Sequence, residues 1–402
     1  MKKIFNSLVS LLAVLTFITF FSCTSPSSND STVSATAVVN SMKFGWNLGN
    51  TLDACDSGSN WSSKTSEEID WRLKGTATSE LFQKLKDSGI KSVRIPVSWH
   101  NHVDSSFNIY SEWMNHVKEV VDMAYSKGLY VIINIHHDNY DGDSLGTNAG
   151  FTLKDSDKTQ SLKFVESIWK QVAAEFKYYD DRLVFETLNE PRLIGDPHEW
   201  DWDSTCNTCK TAISIINELN QKAVDTIRSA GGNNANRVIM FPSYVPSPYA
   251  AINAKNAGLV KIPSDSATGR LVLSVHMYTP YNFAMNCTAS EGAHSNFTES
   301  DKTELSKHFT DLNTTFISKG IPVVIGEMGA TNKNNFEARK SWFSYYLGLC
   351  KQYNVAALLW DNGQETNSNP SEAFGYMDRT QKEWFTDSNA SELISTAVNA
   401  RN

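Results

Sequence analysis

The sequence predicts one closed (β/α)8 barrel, a single α/β domain. Three observations predict it. Short apolar runs rich in β-formers alternate with longer helical patterns. There are eight of each, with nothing left over for a second domain. Polar and charged residues gather at the C-terminal ends of the runs. At roughly 150 residues per domain, 402 residues would make two or three units, but one barrel fills the same length. Hydrophobic residues make up 41% and charged residues 20%, which excludes disorder, collagen and coiled coil as the main architecture. The net charge of -8 argues against a nucleic-acid footprint, which needs a basic face. The 11 Trp, 14 Tyr and 20 Phe supply flat rings for a ligand with apolar and polar faces.

The N-terminus lies outside this rhythm. Lys2 and Lys3 precede an apolar run from Leu8 to Phe21, shorter than the ~20 residues that span a bilayer. Residues 1–22 therefore read as a signal peptide. Phe20-Phe21-Ser22-Cys23 resembles a bacterial lipobox with Phe where Leu is commoner, so Cys23 is the expected lipidation site. A plain secretory signal is the alternative. Residues 23–37 are small and polar and read as a flexible tether. The catalytic domain is expected over 38–402.

The strands are expected at 42–48, 92–99, 130–136, 183–189, 237–243, 271–278, 322–328 and 355–361. Helices are expected at 79–88, 111–127, 158–177, 211–230, 249–256, 299–318, 336–352 and 388–398. Alternation of this kind builds parallel βαβ units. An open doubly wound sheet is the competing arrangement, but no Gly-rich phosphate loop follows the first strand. Gly89, Gly128 and Gly320 end helices just before strands, as left-handed C-terminal residues do. The βα connections 50–78, 190–210 and 279–298 are long and wall a cleft over the strand C-termini. Beyond Cys23 there are Cys55, Cys206, Cys209, Cys287 and Cys350, an odd number, so at least one is free. Cys206 and Cys209 form a C-x-x-C without a second pair at zinc-finger spacing. They read as a loop disulfide or two free thiols, and Cys350 as core.

Chemistry converges on the barrel mouth. Glu190 in VFETLNEP and Glu327 in PVVIGEMG each end an apolar strand, where a carboxylate is costly unless partnered. Two carboxylates from near-opposite strands can flank one glycosidic bond, one as acid and one as nucleophile or base. Arg94 cannot lose its proton and would hold Glu327 ionised. Tyr278 can donate to the same carboxylate. Glu190 must hold a proton at rest, so its pKa should be raised by apolar surroundings and by Glu327. Asn189 offers a donor and an acceptor to a sugar 2-hydroxyl, and Trp360 can stack under the reacting ring. Asn47 and His137 are plausible sugar hydrogen-bonders. Trp61, Trp200 and Trp202 lie in long loops and are stacking platforms or loop packing.

The histidines admit a second chemistry. His136, His137 and His276 with Asp138 and Asp361 could hold a metal on a barrel. Adjacent strand residues point to opposite faces, however, which separates His136 from His137. No metal and no cofactor is expected.

The sequence also resembles glycoside hydrolase family 5, the retaining (β/α)8 cellulases, most closely the subfamily 4 endo-β-glucanases. The resemblance rests on GWNLGNTLDA at 45–54, VRIPVSWHNH at 93–102, YVIINIHHD at 130–138, FETLNEPR at 185–192, SVHMYTP at 274–280, VVIGEMGA at 323–330 and LLWDNG at 358–363. It implies an endo-β-1,4-glucanase acting with retention, with Glu190 as acid/base and Glu327 as nucleophile. It implies active-site positions for Arg94, His136, Asn189, His276, Tyr278 and Trp360, and a cis peptide after Trp360. The expected partner is a β-glucan polysaccharide or oligosaccharide. The expected protein is an exported monomer that meets a membrane only through a lipid anchor. Two alternatives remain at this stage: a non-catalytic glycan-binding lipoprotein, and a barrel metallohydrolase. The loops, not the motifs, choose among cellulose, mixed-linkage glucan, xyloglucan and mannan.

Overall fold

The computed structural model describes residues 33–54, 77–139, 150–366 and 369–402. Cys23, the signal peptide, Cys55 and Trp61 lie outside the described residues. Eight parallel strands close on themselves in chain order: β1 (Phe44–Asn47), β2 (Ser92–Ile95), β3 (Tyr130–Asn134), β4 (Leu183–Glu186), β5 (Ile239–Pro242), β6 (Leu271–His276), β7 (Val323–Met328) and β8 (Ala356–Leu359). β8 pairs with β1 to complete the ring. Each expected strand is present, shortened at its ends where the chain leaves the ladder.

Helix α1 (Ala35–Met42) precedes the first strand. The outer ring is α2 (Ser79–Asp87), α3 (Ser111–Ser126), α4 (Lys158–Glu175), α5 (Asn207–Ser229), α6 (Pro248–Asn256), α7 (Glu299–Thr315), α8 (Phe336–Tyr353) and α9 (Ala390–Arg401). Gly89 and Gly128 adopt φ of 91° and 75°, which releases the chain from a helix into the next strand.

Two expectations are corrected here. The fold begins before residue 38, because Ser34 caps α1 through a bond from the Ala37 amide. Ala35, Val38, Val39 and Met42 then pack on barrel residues Ile132, Val184, Val272 and Val324. That spacing is one helical stripe, which closes the bottom of the barrel. Helix α5 also starts early, at Asn207, because the Cys206 sulfur accepts from the Cys209 amide at 3.2 Å.

The strands alternate inside and outside. Val93, Val131, Ile133, Phe185, Leu273 and Ile325 pack outward in the larger core. Ile132, Val184, Met240, Val272, Val324 and Leu358 fill the barrel interior. Two residues further along β3, β4 and β6, the inward positions become Asn134, Glu186 and Ser274, all buried. The barrel therefore carries an apolar floor and a polar upper layer. A register shift between β6 and β7 pairs Val275 with Ile325 but His276 with Glu327. This bulge turns Glu327 toward the mouth, where uninterrupted alternation from Val324 would point it outward.

Among the described residues the cis peptide bond is Thr279–Pro280. The bond after Trp360 is trans, against expectation. The Asp361 carbonyl there accepts from Gly49 N at 3.1 Å and Arg379 Nη2 at 2.6 Å.

Candidate active site

Arg94 organises the mouth. It is fully buried on β2, and its guanidinium reaches four side chains. Nε donates to Glu186 at 2.7 Å, Nη1 to Glu327 at 2.8 Å and to Asn47 at 3.1 Å, and Nη2 to Asn189 at 2.7 Å. One fixed cation so placed between two carboxylates is a compensated buried charge. The two carboxylates push the Arg94 pKa further up against its desolvation. Glu186 is held in turn by Ser274 Oγ at 2.5 Å and Asn134 Nδ2 at 2.9 Å.

Glu327 is addressed at both oxygens. Arg94 donates to Oε1, and the Tyr278 hydroxyl donates to Oε2 at 2.8 Å. Burial first, then the charge of Glu327, pushes the Tyr278 hydroxyl well above its ordinary pKa, so it stays a donor. Glu190 lies opposite, with Nδ1 of His276 2.7 Å from its Oε1. A ligating nitrogen of His276 and one oxygen from each glutamate lie within 4.8 Å of one another. The carboxyl groups are thus close enough to flank one bond.

The resting charge of Glu190 differs from expectation. Burial does raise its pKa, but the hydrogen bond and charge of His276, with Arg192 and His137, outweigh burial and bring it down to about 2. His276 moves the opposite way. Burial lowers it, and the two glutamates more than restore it, so its pKa is raised. The proton shared by this pair rests on the imidazole.

Several expected sugar contacts are reassigned. Asn47 is fully buried; its carbonyl takes Arg94, and its amide donates to Gly326 O at 2.9 Å, with Leu359 O at 3.2 Å. It orients Arg94 and has nothing left for a sugar. Asn189 spends its carbonyl on Arg94, so its amide hydrogens alone are available. Glu186, Asn134 and Ser274 were missed; the signal for each is a polar residue at an inward position of an apolar strand.

His136 and His137 do come together, against the alternation argument, because β3 ends at Asn134 and alternation stops there. Their ring centroids are 4.3 Å apart, and each has Nε2 within 3.9 Å of Asp53 Oδ2. Burial leads in lowering both imidazoles, His137 to about 4, and in raising Asp53 to about 6. Trp360 lies parallel to His136, with centroids 5.9 Å apart. A Cβ on Gly49 would come within 2.8 Å of the Trp360 ring, so only glycine leaves room for this indole. Asp138 holds the Trp99 and His100 amides and the His100 ring. Asp361 takes Trp46 Nε1 and the Gly363 and Met377 amides. Both carboxylates are structural. Trp202 is buried, whereas Trp200 is 60% exposed beside the Arg192 guanidinium, 4.3 Å from its ring.

The family model Cellulase (glycosyl hydrolase family 5) matches residues 52–366. The chain belongs to glycosyl hydrolase family 5. Endoglucanase A of Clostridium longisporum is 38% identical over 353 residues, which are 88% of this chain and 64% of that protein. The chain thus spans less than two thirds of that relative. A family 5 lichenase from Caldicellulosiruptor sp. F32, solved as a mutant with cellotetraose, superposes with TM-score 0.84 at 38% identity, covering 92% of this chain and 96% of that one. A subfamily 4 broad-specificity endoglucanase from Ruminococcus champanellensis, with bound cellotriose, gives 0.81 at 35% identity, covering 91% and 98%. The family assignment fits two carboxylates at the mouth, Glu190 in the loop after β4 and Glu327 on β7.

Proposed function

We propose that this family 5 chain cleaves internal β-1,4 bonds of β-glucans with retention, using Glu190 as acid/base and Glu327 as nucleophile. The observation that carries this reading is that one oxygen of Glu190 and one of Glu327 lie within 4.8 Å of each other. Retaining pairs stand ~5–5.5 Å apart, whereas inverting pairs leave ~6.5–9.5 Å for a water. The names of the lichenase and the broad-specificity endoglucanase support a glucan substrate.

The steps follow from the bonds. Arg94 and Tyr278 fix Glu327 so that one oxygen faces the anomeric carbon. The proton held between His276 and Glu190 passes through Glu190 to the leaving oxygen as the glycosidic bond breaks. Glu327 bonds to the anomeric carbon, giving a glycosyl ester. The same carboxylate–imidazole pair then takes a proton from water, which attacks the ester and frees Glu327. The Asn189 amide donates to the sugar 2-hydroxyl, a bond that strengthens in the transition state. Trp360 supplies an apolar face for the ring.

This reading is tested by following newly released sugar by NMR before mutarotation. The β-anomer is expected first; an α-anomer as first product sinks retention. A panel of carboxymethylcellulose, lichenan, xyloglucan and mannan with a reducing-sugar readout then defines the preferred glucan.

We also propose that Cys23 carries lipid and holds a monomeric enzyme on a membrane. The support is the Phe20–Cys23 motif and the polar stretch after it. Stable anchoring takes more than one acyl chain. Membrane partitioning of Cys23→Ser equal to the parent's would refute this.

A further inference from the structure

A second cluster of reactive side chains lies outside the carboxylate site, in the loop that follows Glu190. A ligating nitrogen of His198 and the sulfurs of Cys206 and Cys209 lie within 4.8 Å of one another. Both cysteines are free thiols. Cys206 caps α5 and its sulfur accepts the Cys209 amide, which fixes its position beside Cys209.

His198 is placed for ligation on independent grounds. Its amide donates to Asp196 Oδ1 at 2.8 Å, and its carbonyl accepts the Tyr244 hydroxyl at 2.9 Å. Its Nδ1 lies 3.2 Å from the Asp201 carbonyl. A carbonyl only accepts, so Nδ1 carries the hydrogen and Nε2 keeps its lone pair. Ligating histidines commonly donate their second nitrogen to a carbonyl in this way, which sets tautomer and ring orientation.

We propose that His198, Cys206 and Cys209 form a binding site for a soft divalent cation of the zinc type. Two sulfurs and one imidazole suit zinc and exclude calcium and magnesium, which take oxygen ligands. Three protein ligands leave the fourth tetrahedral position to solvent. The ion would tie the loop carrying Arg192 and Trp200 to the first turn of α5, and so stiffen the cleft wall next to Glu190. Its role is structural, because the three ligands are separate from the carboxylates that do the chemistry. The sequence signal is H-x7-C-x-x-C, in which the imidazole replaces the second cysteine pair that a zinc finger would supply.

The test uses the full chain purified under reducing conditions. Zinc analysis should give about one equivalent per chain. Cobalt(II) in place of zinc should produce a thiolate charge-transfer band. Cys206→Ser keeps a good helix cap while removing a ligand, so it should fold, lose the band and bind the ion at least ~10-fold more weakly. His198→Gln should weaken binding as well. Chelation should lower the Tm of the parent and leave that of Cys206→Ser unchanged. Three results would overturn the site: zinc far below one equivalent with no cobalt band, a band that survives Cys206→Ser, or a native Cys206–Cys209 disulfide, seen as a mass lower by two hydrogens that reduction restores. Hydrolytic activity is not the readout, so failure here leaves the roles of Glu190 and Glu327 standing.

Discussion

Nδ1 of His276 lies 2.7 Å from Oε1 of Glu190, so the proton the two share rests on the histidine. Glu190 is thereby kept low and His276 high, and under the proposed mechanism the pair serves as one proton donor.

The pH profile follows from that storage. Because the His276 pKa is raised, the proton should be retained past the ordinary histidine range. The alkaline limb of kcat/KM should fall above about pH 6.5, the unperturbed imidazole value. A limb below that value would show that the pair is not the donor. A kcat/KM titration with a substrate that needs leaving-group protonation makes the measurement.

The two glutamates should fail differently. Glu327→Gln removes the nucleophile, so both steps stop. Glu190→Gln should still be glycosylated by substrates with good leaving groups but deglycosylate slowly. Azide should rescue that variant and give a β-glycosyl azide, because Glu327 still forms the intermediate. In Glu327→Gly, azide should give the α-product by direct attack. Product NMR distinguishes the two, and the same anomer from both variants would contradict the assignment.

Glu186 touches no expected substrate atom, yet it balances Arg94. Both side chains are fully buried, with Nε 2.7 Å from Oε2. Glu186→Ala should destabilise the fold by about 3–5 kcal/mol, because it leaves a dry cation short of one counter-charge. Glu186→Gln keeps an acceptor for Nε and should cost less. Urea unfolding measures both; an alanine variant as stable as the parent would show that Arg94 needs only Glu327.

Acid should weaken the fold before the carboxylates titrate. His102 is lowered to about 3 and His137 to about 4, and His136 falls well below its ordinary value, burial being the leading cause each time. Below about pH 6.5 the unfolded chain takes protons that these folded imidazoles refuse, so stability falls with pH. Asp53, raised to about 6, and Asp361, also raised by burial, act in the opposite direction as they bind protons in the fold. His308 is lowered by burial as well, and Glu304 and Glu372 are raised by it, so four imidazoles oppose four carboxyls, and the imidazoles lead only above about pH 6, where Asp53 begins to bind its proton. Tm should fall between about pH 7 and 6, where the unfolded imidazoles take protons and the buried carboxyls do not yet; a flat or rising Tm over that interval would refute the balance.

The eight strands and helices were legible from local pattern alone, because period and turn residues act within a few positions of the chain. Glu190, Glu327 and Tyr278 were legible as polar residues at the ends of apolar strands, and Arg94 as a permanent charge within one. Other features had no local signal. The first residues of the capping helix, 35–37, read as part of a small polar tether until the barrel floor is there to bury the stripe they begin. Asn47 reads as a sugar ligand until the carbonyls of Gly326 and Leu359, from strands far along the chain, consume its amide. Glu327 faces the mouth only through the bulge beside Gly326, where a Cβ would come within 3.2 Å of the His276 ring. The resting proton sits on His276 rather than Glu190 because closure of the ring brings the ends of β4 and β6 together. Sequence determined which groups are present and on which strand each rides. Only barrel closure decided which of them share a hydrogen bond, and in a site this dry that sharing sets charge, orientation and therefore role.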